Sequence, residues 1–211
     1  FYDAVRPLSD HERKELARLP LDEQHYLRQS GAPALFGEEG YTPAERAGAR
    51  PTLEINGLYS GFIGEGAKTV LPARAMAKIS MRLVSDQDHQ AIKGQLEAYI
   101  QEHLPDTVRY ELKTISTAPP FISNLDSPGN RALAEALETA WGVKAQFRRE
   151  GGSVPVATYL QEVAGVPSVL TGFGLPDDAL HAPNEKVDVP TLYRGMEALV
   201  HFFHNAAGTQ E

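Results

Sequence analysis

Seven histidines, at positions 11, 25, 89, 103, 181, 201 and 204, are the residues of this 211-residue chain best suited to bind a metal or move a proton near neutral pH. There is no cysteine, so thiolate ligands, disulfides and cysteine nucleophiles are excluded. No HExxH occurs, and no close His-x-His or His-x-Asp pair, so no short metal motif sits on one element. His201 and His204 stand three apart in a helical pattern, a spacing that can hold a metal, but the adjoining Phe202 and Phe203 favour a solvated or core-edge pair. His181 differs. It lies in Leu175-Pro-Asp-Asp-Ala-Leu-His-Ala-Pro-Asn-Glu-Lys186, a loop of prolines and carboxylates that follows a strand-like run and precedes a long amphipathic segment. Chains of alternating helices and strands place their chemistry in such loops. Taken alone, His181 cannot hold a metal.

Three glycine clusters invite other chemistry. Gly61-Phe-Ile-Gly-Glu-Gly-Ala-Lys-Thr69 resembles a phosphate loop, but Ala67 separates Gly66 from Lys68 and Glu65 would repel phosphate. Gly172-Phe-Gly-Leu-Pro-Asp177 begins like a dinucleotide fingerprint and ends in Asp, with Pro176 where the helix should start. Gly151-Gly-Ser-Val-Pro155 puts Ser153 at a helix start without the second glycine of a nucleophile elbow. No Asp–His pair stands out to activate it, so Ser153 reads as a helix cap or a ligand donor.

The elements that must position these residues fall into two rhythms. Ser9 and the acid-to-base run behind it predict a helix over 10–19, a second is expected over 21–29, and 32–50 reads as a Gly/Pro-rich connection. Strands are expected at 52–59 and 73–84. In the latter Ala73, Ala75, Ala77, Ile79, Met81 and Leu83 share a face to be buried, while Arg74, Lys78, Ser80 and Arg82 face water. A helix over 88–104 and a strand over 107–115 complete the order strand, strand, helix, strand, most of a ferredoxin-like unit. Its first strand would precede Phe1, and Phe1-Tyr-Asp-Ala-Val5 itself reads as the tail of an apolar strand. The chain is therefore expected to be a piece of a longer protein. After Pro119-Pro120 helices at 128–141, 155–164 and 191–204 alternate with strands at 144–148 and 166–172, the grammar of an α/β sheet. The expected fold class is α/β with an α+β portion in front.

Composition removes whole classes of partner. A net charge of −8 and a pI of about 5.4, with no basic run, argue against nucleic acid and anionic membranes. No apolar run approaches a membrane span. The absence of cysteine suits a cytoplasmic protein.

Two blocks together carry a family resemblance. Gly64-Glu-Gly-Ala-Lys-Thr-Val-Leu-Pro72 with Lys78-Ile-Ser-Met-Arg-Leu-Val84, and Arg149-Glu-Gly-Gly-Ser-Val-Pro155 with His181-Ala-Pro-Asn-Glu185 beyond it, strongly resemble the zinc dipeptidase and deacylase family of carnosine dipeptidase, acetylornithine deacetylase and carboxypeptidase G. The likeness runs from about residue 1 to 203 and points to the cytosolic dipeptidase branch. It implies a ferredoxin-like lid and dimerisation domain over 1–117, and over 118–211 the C-terminal part of a three-layer α/β catalytic domain that binds two zinc ions. Matched residue by residue, His181 falls on a zinc ligand. Arg82 falls on the arginine that binds the substrate's free carboxylate and Thr69 on a neighbouring lid residue, both reaching a second subunit's site. Gly151, Gly152 and Ser153 match a segment that also touches that carboxylate. A guanidinium fork suits a carboxylate, and glycines let the main chain approach closely. The other metal ligands, the bridging acid and the general-base glutamate have no counterpart here. The resemblance thus implies a fragment of a homodimeric dinuclear zinc hydrolase acting on small peptides, with no catalytic residue of its own and no activity alone. A deacylase of N-acyl amino acids on the same scaffold, or a non-enzymatic dimerisation or binding module, are the alternatives.

Overall fold

The computed structural model describes residues 1–151 and 154–208, and the chain divides into two compact units, Phe1–Pro120 with residues 149–153, and Phe121–Arg148 with residues 154–211.

The first unit opens with three short helices, α1 (Asp10–Ala17), α2 (Glu23–Ser30) and α3 (Pro43–Ala49). Each begins where a side chain replaces a missing backbone partner. Ser9 and Glu12 form a reciprocal capping box on α1, Asp22 caps α2, and Thr42 with Glu45 repeats the box on α3, where Pro43 stands in the first turn. Helix α1 ends two residues before the expected 19, and α3 occupies what the sequence was expected to use as a plain connection. The signal was present, since Thr42-Pro-Ala-Glu45 is a capping-box pattern. Leu8, Leu16 and Ala49 form a small core against which Leu19 packs. Around it Arg50 forks onto Glu38 with two 2.7 Å bonds and lies 4.5 Å from the Tyr41 ring, while Arg13 reaches the buried Glu45 carboxylate at 2.7 Å.

Strands β1 (Thr52–Ser60) and β2 (Ala75–Arg82) pair antiparallel, and helix α4 (His89–His103) follows. Ile55 pairs with Ile79 and Gly57 with Lys78, leaving Asn56 as an extra residue. This bulge keeps the pattern in phase: Leu53, Ile55 and Leu58 share a face with Met81, Ile79 and Ala77, whereas an unbroken ladder would turn Leu58 to the other side. That face was expected to be buried. It is not, since Leu53, Ile55, Leu58 and Ile79 are 39–77% exposed. Alternation selects which face is apolar, but burial needs a covering layer, and none packs on it among the described residues.

The strand expected at 107–115 shows no ladder, and neither do those at 144–148 and 166–172. Alternating residues become a strand only when a neighbour supplies ladder hydrogen bonds, and no such neighbour exists among the described residues. The molecule is mixed α/β with a two-stranded sheet.

The second unit is built on α5 (Pro128–Trp141), α6 (Pro155–Ala164) and α7 (Val189–Gly208). Helices α5 and α7 pack through Ala132, Leu133 and Ala136 against Gly195 and Ala198, all buried, and small side chains on both surfaces let the backbones approach. No helix among the described residues is long and apolar enough to cross a membrane.

Candidate substrate- and metal-binding residues

The loop carrying His181 is fastened at both ends in the second unit. At its start Phe173 stacks on Trp141 of α5, with ring centroids 5.8 Å apart and planes 10° from parallel. A Cβ placed on Gly195 of α7 would stand 2.6 Å from that Phe173 ring, so glycine is what lets α7 close on it. At its end Asp188 caps α7, accepting from the Thr191 amide at 2.9 Å. The hydrogen bonds from the Thr191 hydroxyl and amide hold the Asp188 carboxyl below the usual carboxylate range.

Between these anchors the backbone takes a left-handed conformation at three residues that are not glycine: Ala179 (φ 53°), His181 (φ 61°) and Asn184 (φ 63°). Asn tolerates this region through local hydrogen bonds, but at Ala179 it costs roughly 1–2 kcal/mol. Such strain persists only where surrounding contacts impose it. Those contacts converge on Asp178, which is 1% exposed in a loop whose other members are mostly in water. Asp178 Oδ2 accepts from the Leu175 amide at 2.7 Å, Oδ1 accepts from Lys186 Nζ at 3.2 Å, and its carbonyl accepts from the Lys186 amide at 3.0 Å. Lys186 also donates to the exposed Asp177 at 2.9 Å, which holds the Asp177 carboxyl low and raises the Lys186 ammonium. His181 itself is exposed, at the outer turn of this closed loop.

Its donor chemistry fits zinc, which accepts neutral imidazole, but one imidazole is a single ligand of about four. Among the described residues no group of three or more His, Asp or Glu side chains comes together to hold a metal. The structure thus offers one held imidazole rather than a ligand set.

Gly151 belongs to the first unit and is held differently. Arg149 pairs with Glu12 of α1. A Cβ on Gly48 of α3 would fall 2.3 Å from the Arg149 carbonyl oxygen, and one on Gly151 would fall 3.0 Å from the Ala47 carbonyl. Glycine at both positions is therefore what lets residues 149–151 lie against α3. Partial burial pushes the Glu12 carboxyl up, but hydrogen bonds from the Ser9 amide and hydroxyl and the charge of Arg149 outweigh it, leaving Glu12 below its usual range. Gly152 and Ser153 lie outside the described residues.

Arg82 is the last residue of β2, on the face that also bears Lys78 and Ser80. Thr69 is exposed in the loop that joins β1 to β2. The loop of Thr69 leaves the ladder at its Ser60–Ala75 end, and Arg82 pairs with Thr52 at the other end. The structure thus places Gly151, Arg82 and Thr69 in one unit and His181 in the other. Asp178, Glu12 and Gly48, which hold the site-bearing segments, did not emerge from the sequence. The Pro176-Asp-Asp178 turn was a legible signal for the first; for Glu12 and Gly48, whose partner lies more than a hundred residues away, no local signal exists.

Comparison with known proteins adds an independent line. The model of the family described as peptidase family M20/M25/M40 matches residues 28–205. The chain is similar to the Cys-Gly metallodipeptidase DUG1 of Candida albicans, with 28% identity over 206 residues, 96% of this chain and 42% of that protein. It is similar to the Beta-Ala-His dipeptidase of Homo sapiens, with 27% identity over 205 residues, 96% of this chain and 40% of that protein. The crystal structure of an M20 family metallo-carboxypeptidase, Sso-CP2 of Sulfolobus solfataricus, superposes with a TM-score of 0.85 at 25% identity, over 98% of this chain and 47% of that one. The chain spans less than half the length of these relatives.

Proposed function

The chain belongs to peptidase family M20/M25/M40, and from that premise we propose that it forms the lid and the C-terminal catalytic portion of a dinuclear zinc dipeptidase. The substrate is a small peptide with a free carboxylate. The lid is ferredoxin-like over 1–117 and pairs with a second copy, 118–211 belongs to the catalytic domain, and the protein works in the cytoplasm. The observation that carries this reading is the presentation of His181, exposed on a left-handed turn that its own loop enforces.

In this reading each residue has a limited task. His181 supplies one neutral imidazole to the metal site. The Arg82 guanidinium receives the substrate carboxylate as a two-pronged donor, a geometry a lysine could not match. Thr69 and the main chain at Gly151, with Gly152 and Ser153, hold the same end of the peptide. Zinc, when bound, would polarise the scissile carbonyl and lower the pKa of water. The remaining ligands and the proton-transferring glutamate lie outside this chain.

The test has two arms. After dialysis against zinc, the isolated chain is expected to retain far less than one ion per chain and to leave dipeptides intact. Two tightly held ions, or hydrolysis by the chain alone, would overturn the division of the site. The full-length protein is expected to cleave dipeptides, to lose that activity with His181→Ala, and to show a raised KM with Arg82→Lys. Preference for N-acyl amino acids over dipeptides would make it a deacylase.

A further inference from the structure

We propose that Asp178 is a positioning residue for the metal site: its buried carboxylate, bound by Lys186 and the Leu175 amide, holds His181 in the left-handed backbone conformation from which its imidazole is presented. The proposal rests on the assignment of His181 as a ligand and goes beyond it by naming what fixes that ligand in place.

Burial points to Asp178 first. Carboxylates are almost never fully buried unless paired, and among the described residues the largest side chain below 2% exposure is an aspartate three residues before the candidate ligand. Its surroundings are otherwise wet, so a connection serving only to join a strand-like run to α7 would have no need of it. The bonds it makes close the loop twice, once through the side chain and once through the main chain, from Asp178 to Lys186. His181 lies inside that closure.

Backbone geometry gives the closure its consequence. A chain that needed only a tight turn would use glycine at the left-handed positions. This one has Ala179, His181 and Asn184, and at His181 glycine would remove the imidazole. A side chain at a left-handed residue points where no β or α conformation would send it, so releasing the backbone re-aims the ring. Pro176 and Pro183 narrow the alternatives, since the residue before each proline is biased to extended conformations. The 2.9 Å bond from the Ala182 amide to the Ala179 carbonyl makes the inner turn around His181, and Asp178 fixes where that turn starts.

Lys186 divides its ammonium between two carboxylates of different character. Asp177 is 76% exposed and can be replaced by water; Asp178 is buried and cannot. Asp178 is therefore the partner whose loss opens the loop, and Asp177→Asn serves as the control that disturbs the same lysine without opening it.

The experiment compares Asp178→Asn, Asp178→Ala, Lys186→Met, Asp177→Asn and His181→Ala. In the isolated chain, NMR couplings and Cα shifts are expected to give His181 a positive φ in the wild type and in Asp177→Asn. In Asp178→Ala they should average toward extended values, while the signals of α5 and α7 stay in place. In the zinc-loaded full-length protein, release of zinc to a chelator should be about tenfold faster in Asp178→Asn and Lys186→Met, the scale seen when supports of a ligand are lost. Unchanged φ at His181 in Asp178→Ala, or unchanged zinc release in both Asp178→Asn and Lys186→Met while His181→Ala loses zinc, would overturn the proposal. If His181→Ala keeps its zinc, the ligand assignment itself falls, and the role proposed for Asp178 falls with it. Lys186→Met covers the case in which Asp178 variants do not fold.

Discussion

The loop of His181 and the segment 149–151 both carry residues nominated for the same chemistry, yet they are held in opposite ways. The His181 loop is closed by hydrogen-bond partners nine residues apart or fewer, all within 175–191. Residues 149–151 are held by α1 and α3, through Glu12 at a separation of 137 residues and through Gly48. One device is local and polar; the other is long-range, part ionic and part steric. The first should fail alone when it is broken; the second should take its unit with it.

Mutation at Gly48 should have the largest effect. With Gly48→Ala the new Cβ would meet the Arg149 carbonyl, and because backbone rather than a flexible side chain stands in the way, we expect a loss of about 2–3 kcal/mol, the scale of an overpacked contact, in chemical denaturation of the chain. A change below about 0.5 kcal/mol would mean that 149–151 is not seated on α3 in solution.

Asp178→Ala should rank next and look different. It leaves the Leu175 amide without its acceptor, worth roughly 1–3 kcal/mol where no water replaces it. We expect the loss as faster amide exchange and protease cleavage confined to 175–186, with α5 and α7 still protected. Global unfolding instead would erase the contrast between the two devices.

Glu12→Gln sharpens the comparison through pH. The Glu12 carboxyl is lowered in the folded chain from an ordinary value of 4.5, so its charged form is the one that stabilises. That stabilisation is fully present above pH 4.5 and is lost as pH falls through the lower folded value. The stability difference between wild type and Glu12→Gln, about 1 kcal/mol near neutrality for an ion pair partly open to water, should therefore shrink toward zero in acid. A difference that grew on acidification would contradict the pairing.

Arg6→Ala should do least. Arg6 forks onto Asp86 with two 2.6 Å bonds, but both side chains are about half exposed, and water and salt compete for each. No shift of the melting midpoint beyond experimental scatter is expected in moderate salt.

Much of this was legible in the sequence because the physics is local. Caps, the first-turn proline of α3, and the glycines that stop α2, α5 and α6 each act on backbone groups within four residues. The apolar face of β2 could be read from period two. His181 could be singled out by its residue type and its flanking prolines, and Gly151 and Arg82 by the family resemblance. The sequence on its own determined which segments become helices, which face of the hairpin is apolar, and which side chains are chemically able to bind zinc or a carboxylate. Only the tertiary structure decided that residues 107–115 lack a ladder, that the apolar face of the sheet lies open, that Gly48 admits the Arg149 backbone, and that Asp178 rather than Asp177 is buried beneath Lys186. Each of those outcomes depends on which distant atoms arrive as neighbours, and pairing, burial and steric fit are properties of neighbours rather than of the residues themselves.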